Sequence, residues 1–358
     1  MFFRASVIPT VPSDILTLDQ TKHKPKCQIG NRQSPEVLCL GELLIDLVPQ
    51  PSGSPLGQAQ SLRIAPGGAP ANVAVALTRL GATAGFIGKV GDDPLGRLLQ
   101  KTLVENGVDV SCFHLSRQSL TRVAMVTNDP NEQQRFLFYG NADSQLEPRE
   151  IRESYIYRAK FFHFGSISLI QEPSRSATLA AIRFARKHGL TISFDPNLRP
   201  PLWPSLKLAR KTILASIELC DVFKVNQSEW DFLFPGRRFE DSFSVLKRHG
   251  VRLAAMTCDA KGSMLANESC CVAVPTRRVK VADTTGAGDG FVAGLLFQLT
   301  GRQREAAFGR TDLEGLAAFA SAVGTLTCTR PGAIPAFPSL QQVRGFIRAR
   351  ARKRPVVT

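Results

Sequence analysis

The octapeptide at residues 283–290, Asp-Thr-Thr-Gly-Ala-Gly-Asp-Gly, carries the strongest chemical signal in the chain. It follows a short β-prone stretch at 279–282 and precedes an apolar run at 291–299 that can continue as a helix. A helix start presents unpaired backbone N–H groups, and glycine lets this backbone approach a ligand closely. Asp289 then lies in the first helical turn, beside a hole for an anion. The pattern predicts transfer of a phosphoryl group to a hydroxyl, and the alternative is a plain strand-to-helix turn with a capping aspartate.

The composition of the 358-residue chain is ordinary for a globular protein, with 43% apolar and 21% charged residues. No apolar run reaches the roughly 18 residues that a membrane span needs. The eight cysteines contain one close pair, Cys270-Cys271, and no Cys-x-x-Cys, which favours reduced thiols in an intracellular compartment. We therefore expect a cytoplasmic protein with no membrane partner, and a plastid location is the alternative.

Both ends of the chain differ in composition from its middle. Residues 1–36 carry scattered prolines and a basic patch without helical or strand periodicity, which predicts a flexible leader. Residues 346–358 form a basic tail that contributes to the net charge of +15. The favoured interpretation of the tail is a solvated, disordered terminus, and the alternative is a surface that binds nucleic acid.

Between these ends, short buried strands alternate with helical stretches, which predicts an α/β fold with a mostly parallel sheet. The first strand is expected over 37–46, with Asp46 at its carboxyl end, where open parallel sheets bind ligands. A glycine turn ending at Asn72 precedes the first helix. Two β-rich stretches, at about 47–66 and 112–146, predict a small sheet beside the main one.

Two motifs identify the chain by resemblance: Gly-Gly-Ala-Pro-Ala-Asn-Val-Ala at 67–74 and Asp-Thr-Thr-Gly-Ala-Gly-Asp at 283–289. With supporting stretches at 41–46, 86–91, 194–204 and 332–338, the chain resembles ribokinase-like (PfkB) sugar kinases, closest to plant-type fructokinases, over residues 37–345. The resemblance implies a three-layer α/β/α domain with a small β-sheet lid. It also implies ATP, Mg²⁺ and a sugar with a primary hydroxyl.

The resemblance further implies a role for each matching position. Asp289 would be the general base, and the N–H groups of three neighbours would stabilise the transferring phosphoryl group: Gly286, Ala287 and Gly288. Four positions would hold the sugar: Asp46, Gly67, Gly68 and Asn72. Five would serve ATP, Mg²⁺ and the phosphates: Asn226, Glu229, Arg199, Thr257 and Gly262. Asp283, with the backbone near Gly332, would frame a monovalent cation such as K⁺.

Simpler interpretations stand beside these roles. Asn72 could be a helix N-cap, Glu229 a solvated first-turn acid and Arg199 a surface loop residue. His163 and the two tryptophans, Trp203 and Trp230, are interpreted as core residues.

The sequence departs from the fructokinase pattern at three places. The loop at 140–144 is short and lacks an arginine, Asp259 replaces a glycine of the ATP loop, and Gly290 follows the base where alanine or serine is common. The leading hypothesis is an ATP-dependent kinase that converts fructose to fructose 6-phosphate. The alternatives are a kinase for ribose, 2-keto-3-deoxygluconate or a nucleoside, and a catalytically weak regulatory protein. A homodimer formed through the lid is a further hypothesis.

Overall fold

The computed structural model describes residues 34–50, 56–127, 135–302 and 308–351. The predicted leader before residue 34 and the end of the tail after residue 351 lie outside these ranges. The strands in them, in chain order, are β1 Val37–Leu40, β2 Leu44–Gln50, β3 Ser61–Gly67, β4 Ala84–Gly91, β5 Asp109–Ser116, β6 Val123–Thr127, β7 Arg135–Tyr139, β8 Phe161–Gly165, β9 Thr191–Asp195, β10 Val222–Asn226, β11 Leu253–Thr257, β12 Ser263–Ala266 and β13 Cys271–Val274. The helices are α1 Ala69–Leu80, α2 Pro94–Glu105, α3 Glu153–Ile156, α4 Ser174–Lys187, α5 Leu206–Ile217, α6 Gln227–Leu233, α7 Phe243–Arg248, α8 Ala287–Thr300, α9 Arg310–Thr327 and α10 Leu340–Ala351.

The described strands form two sheets. The large one has nine strands in the order β13-β12-β11-β10-β9-β8-β1-β4-β5, and it is parallel from β11 to β5. Only β12 and β13, at one edge, pair antiparallel to their neighbours. Because parallel strands all end at the same edge, the residues that follow β8, β9, β10 and β11 lie along one line.

Helices cover both faces of the large sheet, because its strands are apolar on both sides. Along β1, Val37 and Cys39 pack into the same cluster as α1, α8 and α9, whereas Leu38 and Leu40 pack with α4, α5 and α6. The predicted α/β/α layers are therefore confirmed. His163, Trp203 and Trp230 are buried, as predicted. Within the described residues, no helix combines the length and apolarity that crossing a bilayer requires.

The small sheet has four described strands in the order β3-β2-β6-β7. Its register places Asp46 opposite Ala65 and Ala124, on one face, and Leu47 opposite Ile64 and Met125, on the other. Sheets of this kind expose different residues on each side because side chains alternate along a strand. We call this small sheet the lid.

Four sequence expectations were wrong at their boundaries. The first strand ends at Leu40, so that Asp46 lies in lid strand β2 and not at the end of a central strand. The predicted lid range began at 112, but Asp109–Ser116 pairs with β4 in the large sheet. The other parts of that prediction at 51–55 and 128–134 fall outside the described residues.

The remaining two errors concern the C-terminal third. Residues 279–282 form no strand, because they are half-exposed or exposed and have no sheet neighbour to pack against. The basic tail was expected from 346, yet α10 continues to Ala351. Its Val343, Phe346 and Ile347 pack against the core at helical spacing. The basic residues of this stretch therefore belong to an amphipathic helix, and the run of positive charge alone did not predict it.

Candidate active site

The turn before α8 is built around Gly286. Its φ of 79° lies in the left-handed region, and a Cβ here would lie 2.6 Å from the Cβ of Ala333, so only glycine fits. The Ala287 N–H donates to the Thr284 carbonyl at 3.2 Å, which occupies one of the three predicted donors. The N–H groups of Gly286 and Gly288 have no acceptor among the described residues. These two donors at a helix start form a hole for an anion.

Asp289, the third residue of α8, is only 9% exposed. Its Oδ2 accepts a hydrogen bond of 2.8 Å from Asn72 Nδ2, which joins α8 to α1 across 217 residues of sequence. Burial raises the pKa of Asp289 to about 6, against the opposing hydrogen bond from Asn72, with the charge of Asp195 adding to the rise. A carboxylate with this pKa can accept a proton near neutral pH.

Asn72 is the fourth residue of α1, whose cap is Gly68, so its interpretation as an N-cap is wrong. Its Oδ1 is buried and has no hydrogen-bond partner among the residues that the structure describes. An unpaired buried acceptor costs about 1–3 kcal/mol, so this atom is suited to a donor from a ligand, such as a sugar hydroxyl.

The lid brings Asp46 to the same site. Burial raises its pKa to about 6, the positive charges of Arg199 and Arg63 oppose this, and the charges of Asp289 and Asp283 add to it. Any side chain at residue 67 would overlap the Asp46 carboxylate, which explains the glycine there. Gly68, at φ 110°, lies so close to the Glu42 carbonyl that a Cβ would overlap that oxygen. The two glycines thus make room for Asp46 and for the turn into α1.

Arg199 follows β9, and its guanidinium donates to the Leu198 carbonyl at 3.3 Å. Its positive charge opposes the rise in pKa that burial causes at Glu42, Asp46 and Asp289. Arg199 is therefore part of the electrostatics of the site and more than a surface loop residue.

Asn226 and Glu229 form a capping box where β10 runs into α6. The Glu229 N–H donates to Asn226 Oδ1 at 2.8 Å, and the Asn226 N–H donates to Glu229 Oε2 at 2.9 Å. Glu229 Oε1 accepts a third bond, from the Leu198 N–H at 2.7 Å. Because Glu229 is only 6% exposed, its interpretation as a solvated acid is wrong. Burial and the nearby Asp195 raise its pKa.

The expected ATP loop connects β11 to β12, from Thr257 to Gly262. The Cys258 N–H donates to the Gly262 carbonyl at 2.8 Å, and Gly262 has a φ of 111° with no room for a Cβ. Asp259 has a φ of 46°, in the left-handed region that favours glycine. The loop has therefore kept a glycine conformation although the residue is aspartate.

Asp283 ties two loops together. Its Oδ2 accepts the Gly332 N–H at 2.8 Å, and its Oδ1 accepts the N–H and the hydroxyl of Thr285 at 2.9 and 2.6 Å. Burial tends to raise its pKa, but these hydrogen bonds outweigh it and the pKa is lowered. Asp283 is thus a fixed anion near Gly332.

Three buried charged residues of the site were missed by the sequence reasoning. Lys224 Nζ lies 2.8 Å from Asp195 Oδ2, at the carboxyl ends of β10 and β9. Glu42 accepts the Ala69 N–H at 2.9 Å, and its Oε2 has no partner within the described part of the chain. Burial raises the pKa of Glu42 to about 7. Each interrupts an otherwise apolar strand or strand end, and that interruption was the available signal.

The donor set suits Mg²⁺ bound together with a nucleotide. Within the ranges given above, no three His, Cys, Asp or Glu side chains converge on one metal position. Mg²⁺ usually keeps several waters and takes one or two protein carboxylates plus phosphate oxygens. Glu229 can act on such an ion through water, since backbone N–H groups hold both of its oxygens, so the residues present fit this group.

The comparisons with known proteins agree with this geometry. The model for "pfkB family carbohydrate kinase" matches residues 34–340. "Probable fructokinase-6, chloroplastic" from Arabidopsis thaliana is 42% identical over 327 residues, covering 88% of this chain and 83% of that protein.

Two solved structures extend the comparison. A Vibrio cholerae fructokinase with fructose, ADP and calcium bound is 33% identical, with a TM-score of 0.78 over 88% of this chain and all of that one. A Salmonella enterica aminoimidazole riboside kinase, complexed with its riboside and an ATP analogue, is 32% identical, with a TM-score of 0.74 over 87% of this chain and 99% of that one. The extent of the family match and the identity to these relatives lead to one conclusion: the chain belongs to the pfkB family of carbohydrate kinases.

Proposed function

We propose that this protein is an ATP-dependent fructokinase in which Asp289 is the general base. The observation that carries the proposal is the buried Asp289–Asn72 pair beside the free N–H groups of Gly286 and Gly288. This arrangement brings together a base on α8, an acceptor for a sugar hydroxyl on α1, and an anion hole at the start of α8. The relatives named fructokinase support the choice of sugar.

In the proposed reaction, the 6-hydroxyl oxygen of fructose forms a bond to the γ-phosphorus as the bond between that phosphorus and the β–γ bridging oxygen breaks. The hydroxyl proton passes to Asp289 Oδ1, since Oδ2 is held by Asn72. The products are fructose 6-phosphate and ADP. The N–H groups of Gly286 and Gly288 stabilise charge on the phosphoryl oxygens, and Asn72 Oδ1 and Asp46 orient the sugar.

Bound Mg²⁺ would neutralise phosphate charge during this transfer. Glu229 would act on it through water, because backbone N–H groups already hold both of its oxygens. Thr257 and Gly262 would border the nucleotide. For K⁺, we propose the region between Asp283 and Gly332, where a carboxylate of low pKa is held in place. Replacing KCl by choline chloride in the assay tests this, and an unchanged rate would rule out the cation.

The function is tested by incubating the full chain with MgATP and a panel of sugars. Phosphoglucose isomerase and glucose-6-phosphate dehydrogenase convert fructose 6-phosphate, but not fructose 1-phosphate, into a change in absorbance. We expect fructose to give the highest kcat/KM and Asp289→Asn to abolish the signal. Absence of ADP formation with every sugar would reject the kinase assignment.

A second acceptor, a furanose such as ribose or a riboside, is favoured by the loop at 140–144. This loop lacks the arginine of the fructokinase pattern, and the aminoimidazole riboside kinase is a close structural neighbour. The same panel decides between these substrates by the ratio of their kcat/KM values.

We also propose a homodimer through the lid. Its face opposite Asp46 is apolar and carries four large exposed side chains: Leu62, Ile64, Leu137 and Tyr139. Ile64 and Tyr139 are 52% and 57% exposed. A second copy of the lid would cover this face. Sedimentation of the protein and of Ile64→Asp tests it, because a monomeric parent would exclude the dimer.

Two finer hypotheses concern location and regulation. We propose a cytoplasmic enzyme, and the plastid remains the alternative because one relative is named chloroplastic. A regulatory role through the basic segment predicts salt-sensitive binding of nucleic acid that is lost when residues 346–358 are deleted. Turnover by the parent chain with no such binding would reject that role.

A further inference from the structure

Lys224 is a buried cation at the end of a central strand. It lies on β10 between Val222 and Asn226, and it is only 5% exposed. Its ammonium has three N–H donors, yet the described residues supply one acceptor within hydrogen-bond distance, Asp195 Oδ2 at 2.8 Å. A buried charge is costly unless it is fully paired, so two open donors indicate that a ligand completes the site.

The surrounding charges hold Lys224 in its protonated form. Burial alone would lower the pKa of the ammonium, but the carboxylates of Asp195, Glu229 and Asp289 outweigh it, and the pKa is raised. His163, packed on Ser193 nearby, is neutral at physiological pH because burial lowers its pKa to about 4. His163, on β8 two strands away from Lys224, therefore adds no positive charge beside the ammonium.

The position of the ammonium links it to the anion hole. A Cβ at Gly288 would lie 3.2 Å from Lys224 Nζ, so the ammonium nearly touches the backbone whose N–H group faces the expected phosphoryl group. Glycine at 288 leaves this gap open. A cation beside two N–H donors suits the oxygens of a phosphoryl group that carries two negative charges.

We propose that Lys224 binds the γ-phosphoryl group of the nucleotide, with Asp195 as the positioning residue that orients the ammonium. This rests on the proposed kinase function and adds a residue to it. The ammonium would contact the group that is transferred and would have no partner in ADP. It would therefore favour ATP over ADP and stabilise the charge that develops during transfer.

Calorimetric binding of the magnesium complexes of AMP-PNP and ADP tests the proposal. In Lys224→Met, we expect AMP-PNP affinity to fall about 10- to 100-fold, the range for loss of one charge-assisted hydrogen bond, and ADP affinity to stay within about threefold. Asp195→Asn/Lys224→Met removes both charges and guards against misfolding from an unpaired Asp195. It should show the same selective loss.

Lys89→Met is the matched control. Lys89, on β4, is also buried, and its ammonium lies 2.7 Å from the carboxylate of Glu150. This variant should leave the ratio of AMP-PNP to ADP affinity unchanged. In the Asp195→Asn/Lys224→Met variant, an unchanged ratio of AMP-PNP to ADP affinity would overturn the proposal, whether both affinities are retained or both fall equally. Turnover of fructose by the parent is measured separately, so failure of the kinase assignment would be seen independently of Lys224.

Discussion

Replacing Asp289 by asparagine separates the chemistry of the proposed base from its packing. The asparagine carbonyl can still accept the bond from Asn72 Nδ2, now 2.8 Å from the carboxylate, so the link between α1 and α8 is retained. The amide has no basic oxygen at neutral pH. We expect kcat to fall about 10²- to 10⁴-fold, while fructose affinity changes by less than about threefold.

The same change should make the protein more stable. Burial raises the pKa of Asp289 from its ordinary 3.8 to about 6. A raised carboxyl pKa means that the folded state binds the proton more tightly, so the stabilisation is fully present below pH 3.8 and is lost as the pH rises through 6. About two pH units, at about 1.4 kcal/mol each, set an upper bound of about 3 kcal/mol at pH 7. Asparagine avoids this cost because it is neutral.

Thermal unfolding at pH 5 to 8, together with fructose turnover, measures both effects. We expect Asp289→Asn to unfold several degrees above the parent at pH 7, with a smaller difference at pH 5. Asp312→Asn is the matched control, since Asp312 holds the same third position in α9 but is stabilised by Arg302 and the Gly309 N–H. Those hydrogen bonds lower its pKa, so asparagine there should lower the stability. Equal stability of the parent and Asp289→Asn at pH 7 would refute the buried-charge reasoning, and near-parental turnover would refute the base.

Three further predictions concern the pH dependence of turnover, the ATP loop and the loop at 140–144. The kcat/KM for fructose should fall as the pH drops below about 6, because protonated Asp289 cannot accept the hydroxyl proton; a pH profile without an acidic limb would contradict this. Asp259→Ala should lose about 1 kcal/mol relative to Asp259→Gly in denaturant unfolding, because φ 46° disfavours a β-carbon. Arg122→Met should lose about 3 kcal/mol by the same method, because it leaves Asp143 buried without its partner at 2.8 Å, and adding Asp143→Asn should recover most of the loss.

The glycine-dependent parts of the site could be predicted from sequence, because a missing side chain leaves a local signature. Gly286 needs a left-handed φ, and Gly67 must leave space for Asp46. Asp289 was assigned to the first turn of its helix for the same reason, since the turn and the apolar run that follows are adjacent in the chain. These features depend on neighbours a few residues apart.

The position of Asp46 was harder to predict because residues 37–45 are apolar apart from Gly41 and Glu42. The chain leaves the large sheet after Leu40, and the apolar residues that resume at Leu43 lead into lid strand β2. Periodicity does not distinguish one long buried strand from two short ones in different sheets. The carboxylate reaches the site all the same, because lid strand β2 brings Asp46 close enough to Asp289 for the charge of Asp289 to raise the pKa of Asp46.

Lys224 and Asp195 could not be assigned together because their pairing is made by sheet order. They lie 29 residues apart, on β10 and β9, and only the parallel neighbourhood of these strands brings their side chains within 2.8 Å. The capping box of Asn226 and Glu229 is by contrast a local unit, formed by residues three positions apart. The buried cation beside it depends on the fold.

Two of the three departures from the fructokinase pattern, Gly290 and the loop at 140–144, are accommodated by specific contacts, which favours an active enzyme over a degenerate one. The third, Asp259, keeps a backbone conformation that favours glycine. Gly290 packs against Thr327, where a Cβ would lie 2.9 Å from the hydroxyl oxygen, so glycine permits the close approach of α8 and α9. Arg122, immediately before β6, donates to Asp143 and to the Ser144 hydroxyl in the loop at 140–144, at 2.8–2.9 Å. The loop has no arginine of its own, yet this buried guanidinium anchors it. Decay of a site would leave such charges unpaired, and here they are paired around an intact base and anion hole.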